Sequence, residues 1–186
     1  ILVNNKWVEA KDINNGDKLK TKYSSIKHGD GEDFINGCLV GDSYIHIRDK
    51  NTGCLVFQDS KNTEYVKWKI KCLNTIKFND TGDNKWKSEY NYEFAKIKKE
   101  VYNRNTLNVF KDTISDLSLA IWIMDDGHFK KTHKTYSISV KRFSDNFEVL
   151  EGIQRLFFKS GLPVKYKIKS GNFVFDRNTS DIIAEK

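Results

Sequence analysis

Two stretches of this 186-residue chain read as variants of one another, and they limit what it can fold into more than any other feature. The first is Phe34-Ile35-Asn36-Gly37-Cys38-Leu39-Val40-Gly41-Asp42-Ser43. The second is Ser118-Leu119-Ala120-Ile121-Trp122-Ile123-Met124-Asp125-Asp126-Gly127. Each is an apolar run of helical length, small or apolar at most positions, that closes on an acidic residue followed by Ser or Gly. A helix C-terminus already carries partial negative charge, so a buried helix ending in a carboxylate is an unfavourable arrangement. Its occurrence twice in one chain implies that the two carboxylates meet, and a metal cation is the usual reason for such a meeting.

The nine-residue stretches Ile35–Ser43 and Leu119–Gly127, aligned without gaps, resemble the motif of the LAGLIDADG homing endonucleases, with Asp42 and Asp126 at its acidic eighth position. The similarity is greatest to the single-chain group with two divergent motifs, G-D-x-Y-I and W-x-M-D-D-G. Here these are Gly41-Asp42-Ser43-Tyr44-Ile45 and Trp122-Ile123-Met124-Asp125-Asp126-Gly127. One such run alone is a weak signal. Two, with their acids 84 residues apart and strand-rich sequence after each, form a strong one. The departures are Cys38 for a motif Leu, Ser43 for the final Gly and Ile121 for the first Gly, and they bear on how closely the helices approach.

The resemblance covers residues 30–186 and implies an α+β fold: two pseudo-symmetric αββαββα halves, a central motif-helix pair and a β-sheet saddle for DNA. The halves are expected at residues 23–110 and 111–186, joined around 104–116. The chain stops at Lys186 after barely a turn past Thr179 or Ser180, the expected cap of a last helix, so the C-terminus reads as incomplete.

Composition agrees with such a partner. A net charge of +7 and a pI near 9.1 favour a polyanion, although a Lys-rich surface from an AT-rich genome would give the same figures. With 38% apolar and 31% charged residues, and no apolar run near 18 residues, the chain reads as globular and intracellular, cytoplasmic or nucleoid-associated. Cys38, Cys54 and Cys72 read as reduced core thiols.

Residues 1–22 stand apart. Leu2–Val8 reads as a strand with a turn at Asn4-Asn5, and Trp7, Ala10, Asp12, Ile13, Gly16, Asp17 and Leu19 follow W-x-x-A-x-D-I-x-x-G-D-x-L. That pattern resembles a segment of the Hint domain of inteins and implies a remnant of a protein-splicing host. The alternative is the edge of any small β domain.

Further on, Asp30 and Asp33 are placed to start the first motif helix. Strands follow at Tyr44–Arg48 and Cys54–Gln58. Tyr65, Trp68, Cys72, Leu73 and Ile76 recur at helical spacing. Trp86 to Phe94 alternates as a strand, with a short helix at Ile97–Tyr102. Thr113 and Asp116 read as a capping box, Tyr136–Lys141 as a strand, and Ser144 as the cap of a helix with core stripe Leu150, Ile153, Leu156 and Phe157. That helix stops at Gly161-Leu162-Pro163, and a hairpin joins Val164–Lys169 to Phe173–Arg177. Trp68, Trp86, Tyr90, Tyr92 and Phe157 sit at core spacing. His128 and His133 fall in the loop after the second motif.

The resemblance implies that Asp42 and Asp126 are catalytic and hold Mg²⁺, each near one scissile phosphate; hard carboxylate oxygens suit that ion. Asp125 is expected to pack or to orient water. Arg104, with Lys111 as the alternative, stands where the family places a basic residue near the metal. DNA contact is expected from His46, Arg48, Lys141, Lys165, Lys167, Lys169 and Arg177 on strand faces, since a β-ribbon fits the major groove. The expected function is a monomeric, site-specific endonuclease that makes staggered breaks with short 3′ overhangs in double-stranded DNA. A relict DNA-binding protein, an RNA-splicing maturase, and part of a protein-splicing intein are the alternatives.

Overall fold

The computed structural model describes residues 2–3, 6–7, 28–59, 62–102 and 113–185. Arg104, Lys111 and most of the Hint-like segment lie outside them. Two short strands open the chain, β1 (Leu2–Val3) and β2 (Lys6–Trp7), paired antiparallel.

The next fourteen elements form one plan used twice. The first half runs α1 (His28–Val40), β3 (Tyr44–Asp49), β4 (Thr52–Gln58), α2 (Thr63–Cys72), β5 (Phe78–Asp80), β6 (Lys85–Ser88) and α3 (Tyr92–Tyr102). The second runs α4 (Asp116–Asp126), β7 (Gly127–Lys130), β8 (Thr135–Ser139), α5 (Phe147–Lys159), β9 (Val164–Lys167), β10 (Asn172–Phe175) and α6 (Arg177–Glu185), with a 3-10 turn at Lys141–Phe143 after β8. Both halves are αββαββα. Their antiparallel sheets have matching orders, β3-β4-β6-β5 and β7-β8-β10-β9.

Several element boundaries differ from the sequence-based expectation, each for a local reason. Asp30 and Asp33 lie inside α1 rather than at its cap. Ser115, not Thr113, caps α4 by accepting the Ser118 amide at 3.1 Å. Asn146, not Ser144, caps α5, because Lys141–Phe143 has already turned the chain. The strand expected through Phe94 ends at Ser88. Asn91 then accepts the Phe94 amide at 2.9 Å and starts α3, which leaves Tyr90 and Tyr92 exposed rather than in the core. Asp176 accepts the Thr179 amide at 2.8 Å and opens α6, so Thr179 and Ser180 are buried inside a nine-residue helix instead of starting a frayed turn.

Each half has its own core. In the second, Trp122 stacks on Phe157 at 5.6 Å between ring centroids, among Ile138, Phe173 and Phe175. Full burial of a side chain such as Phe157 contributes roughly 1.5–3 kcal/mol. In the first, Phe34, Leu39, Ile45, Leu55 and Phe57 pack together. The two cores are sewn together by the motif helices: Val40 of α1 sits in the second-half core, and Ile121 of α4 in the first.

α1 and α4 pack directly on one another because Gly37 has no side chain. A Cβ there would lie 2.8 Å from the Ser118 carbonyl oxygen and 2.9 Å from the Ile121 Cβ. Ser118, fully buried, donates its hydroxyl to the Asp33 carbonyl at 2.7 Å and ties the same interface. Among the described residues no helix is long and apolar enough to cross a membrane.

Gly37→Ala is therefore expected to lower stability by about 1 kcal/mol or more, even though Ala is the better helix former. A urea unfolding midpoint checks this, and an unchanged or raised midpoint would show that the helices separate freely.

Candidate functional site

Both motif helices end at the same place. α1 delivers Asp42 two residues past its last turn, and α4 delivers Asp125 and Asp126 as its final residues. Three carboxylates and two negative helix ends thus converge, which is costly unless cations or hydrogen-bond donors are brought to them. The fold supplies both.

Asp125 is the buried member of the group. Its side chain is 0% exposed and pairs with the Lys69 ammonium, 3% exposed, at 2.5 Å. The Tyr65 hydroxyl donates to the same carboxylate oxygen at 2.8 Å. The other oxygen accepts the backbone amide of Asp42 at 3.1 Å. The room for this comes from Gly41, where a Cβ would fall 2.2 Å from that second oxygen. Asp125 is thus a packing residue, and it orients Asp42 rather than facing solvent.

This pair also explains how α2 is turned. Val66, Lys69 and Leu73 face inward, while Trp68, expected in the core, is 42% exposed and stacks on Tyr65 at 5.7 Å. Lys69 was not legible as a site residue, since Tyr65, Trp68 and Cys72 form an equally regular apolar stripe.

Asp42 and Asp126 are the other two acids at this point. Asp42 is exposed, and its carboxyl is raised above the usual carboxylate range by partial desolvation and then by Asp125, against the opposing pull of Lys69. Asp126 is pushed up to about 6, first by burial, then by the charges of Asp42 and Asp125; Arg142 and the neighbouring Trp122 indole oppose the rise. Asp59 adds a further negative charge near Asp42. Among the described residues no three His, Cys, Asp or Glu side chains come together as a ready-made metal cage.

Arg142 was missed by sequence reading, which chose its neighbour Lys141 by continuing the alternation of β8. The strand ends at Ser139, so Lys141 lies in the 3-10 turn and its stem covers Gly171. Arg142 instead reaches the end of α1, where its Nη1 donates to the carbonyls of Leu39, Val40 and Gly41 at 3.2, 3.3 and 2.6 Å.

The remaining candidates sit on two polar sheet faces. His46 and Arg48 are exposed on β3 and share the ring of Tyr90, at 6.3 Å between centroids for His46 and 5.5 Å from the Arg48 guanidinium carbon. Register places Tyr44, Val56 and Lys87 across one row of that sheet, and Gln58 and Lys85 on the next, so β6 adds two lysines that alternate with buried Trp86 and Ser88. In the second sheet Lys165 and Lys167 are exposed on β9, in register with Val174 and Asn172 of β10 and, beyond, Ser137 and Ser139 of β8. His128 belongs to this face too. It lies in β7, paired with Ser137, not in a loop. His133 is in the turn that follows. Lys169 lies past the end of β9 in the hairpin turn, and Arg177 opens α6; neither is on a strand.

Two αββαββα halves joined through helices with adjoining acidic ends define a duplicated α+β protein with one shared acidic centre. Residues 32–176 match the LAGLIDADG DNA endonuclease family, and the chain belongs to it. The fold is similar to that of the homing endonuclease I-WcaI, solved bound to its DNA recognition sequence: TM-score 0.56 at 17% identity, covering 83% of this chain and 78% of that one. Among curated proteins the chain is similar to Protein RecA of Mycobacterium shimoidei, 26% identical over 134 residues, 66% of this chain and 32% of the relative. Protein RecA of Mycobacterium gastri is 27% identical over 140 residues, 69% and 33%. The chain thus spans about a third of the length of these relatives.

Breaking one side of the Lys69–Asp125 pair leaves a charge buried and unpaired. Lys69→Met should cost about 3–5 kcal/mol, and Lys69→Met with Asp125→Asn should recover most of that loss. Urea unfolding of both variants measures the difference; equal losses would show that the pair is not coupled.

Proposed function

We propose that this chain is a site-specific homing endonuclease that makes a staggered double-strand break in DNA. One observation carries the reading: in a member of this family, Asp42 and Asp126 stand near one another at the ends of paired helices, Asp42 with its amide held by Asp125 and its side chain exposed.

The donor set suits a hard divalent cation, and Mg²⁺ is the ion we assign. Two carboxylates raised by burial and by neighbouring negative charge are relieved by a cation. Mg²⁺ keeps waters and takes phosphate oxygens alongside one or two carboxylates, which Asp42 and Asp126 would supply. Bound by Asp42 and Asp126, it would supply charge neutralisation at the phosphate and a water of lowered pKa.

The protein's own part is placement. Asp125 holds the Asp42 amide, and Lys69 and Tyr65 hold Asp125. The basic faces carry the duplex: His46, Arg48, Lys85 and Lys87 from one sheet, and Lys165, Lys167 and His128 from the other. Lysines there anchor phosphates while shorter polar side chains can reach base edges. Lys141, Lys169 and Arg177 lie at the margins of the second face. Arg104 is assigned as an additional basic residue on its place in the sequence. The enzyme would act as a monomer, since one chain carries both halves.

We also infer an intein origin. The Hint-like pattern at Trp7–Leu19 and the relatives' threefold greater length support an endonuclease module within a larger protein.

Incubation of a randomised duplex library with the chain and Mg²⁺ should yield staggered ends. Asp42→Asn or Asp126→Asn should lower the yield by at least ~100-fold, the effect of losing several kcal/mol of charge stabilisation. Cleavage unchanged in both variants would sink the assignment. On a recovered target, Lys165→Gln with Lys167→Gln should reduce the slope of log affinity against log salt by about one to two; an unaltered slope would remove that strand from the interface.

A further inference from the structure

The end of α1 has five carbonyls to satisfy in a confined space. The Gly37 oxygen accepts the Gly41 amide at 3.2 Å, and the Cys38 oxygen accepts the Ser43 amide at 3.0 Å. The next three, of Leu39, Val40 and Gly41, accept from the single Nη1 of Arg142. A helix end is usually satisfied by its own following residues or by water. Here the donor comes from the opposite half of the protein, about a hundred residues on.

The turn that carries Arg142 is itself fixed. Val140 and Phe143, on either side, are buried at 0% and 7% exposure in the second-half core. The Phe143 amide donates to the Val140 carbonyl at 2.9 Å, and the Arg142 guanidinium lies 5.3 Å from the centre of the Phe143 ring. The guanidinium is therefore presented from a rigid base, and its nearest acceptor is the residue immediately before Asp42.

The mirror contact runs the other way. Lys69 and Tyr65 of the first half bind Asp125 of the second, which in turn holds the Asp42 amide. The peptide between Gly41 and Asp42 is thus gripped at both ends, its carbonyl by Arg142 and its N–H by Asp125.

We propose that Arg142 is a positioning residue for the metal acid Asp42: it locks the Gly41–Asp42 peptide from the opposite half and so sets where that carboxylate stands relative to Asp126. Arg142 acts through the backbone of α1, not on substrate. The contact is made through one nitrogen, so a lysine ammonium would supply the charge and the donors, but from a shorter and more flexible stem, and would reproduce it only in part. The inference deepens the nuclease reading above and rests on it only for the use to which Asp42 is put.

The test compares the wild-type chain with Arg142→Met and Arg142→Lys. Residue-resolved amide hydrogen exchange needs neither DNA nor cleavage. Arg142→Met should speed exchange at Gly41, Asp42 and Ser43 at least ~10-fold and leave the amides of α5 unchanged; Arg142→Lys should restore part of the protection. A Mg²⁺ titration followed at the Asp42 and Asp126 amide signals, and the Mg²⁺ dependence of cleavage, should both shift to about 10–100-fold higher concentration in Arg142→Met. Unchanged exchange at the three amides would overturn the proposal. So would faster exchange with an unmoved Mg²⁺ midpoint, which would make Arg142 a helix cap and nothing more, and so would α5 exchange that rises equally. A wild-type chain that cuts no duplex would defeat the nuclease reading separately, with the exchange and Mg²⁺ contrasts still deciding the role of Arg142.

Discussion

The contact between α1 and α4 imposes the problem that the rest of the molecule answers. Packing two helices close enough for Gly37 to touch the Ser118 backbone brings their negative ends together, and each end carries carboxylates. Two helix dipoles and three Asp side chains in one place repel one another strongly in a partly desolvated setting. The pair can exist only because cationic groups are delivered to it from elements on either side.

The delivery is crossed. Lys69, on α2 of the first half, neutralises Asp125 of the second; Arg142, on the 3-10 turn of the second, satisfies the end of α1 in the first. Val40 and Ile121 repeat the exchange in apolar form, each buried in the other half's core. Neither half can present its acid correctly without the other. The duplication is also uneven where it matters: Gly41 and Asp125 occupy matching positions in the two motifs, and the small residue of one makes room for the carboxylate of the other. One motif therefore contributes a single acid at its end and the other two, of which one is consumed in holding the first.

That division separates a fully compensated carboxylate, Asp125, from two that are less so. Asp125 is compensated on both oxygens by Lys69, Tyr65 and the Asp42 amide. Asp126 is offset only in part by Arg142 and Trp122, and its carboxyl stays raised. A centre with residual negative charge, beside two sheets whose polar faces carry His and Lys, suits a cation and a polyanion bound together.

Much of this was written in local pattern. The apolar runs ending in acids, their spacing, the αββαββα order and the core stripe Leu150, Ile153, Leu156 and Phe157 follow from periodicity and from the motif resemblance, because helix and strand periods are properties of neighbouring residues. The exposed alternation of Lys165 and Lys167 was legible for the same reason. Strand ends were not. Lys141, Lys169, Tyr90 and Tyr92 continue an alternation that the chain abandons, since Asn91, the turn closed on the Lys167 carbonyl and the turn at Lys141–Phe143 capture backbone groups that the pattern does not register. The inward turn of Lys69 and the reach of Arg142 belonged to tertiary structure alone. Each is decided by a partner 56 or about a hundred residues away, and a single sequence carries no sign of which charge will be buried against which. By itself the sequence determined two acidic helices that must meet. Only the folded chain decided which cations make that meeting tolerable, because electrostatic compensation depends on distance and burial, and neither is a local quantity.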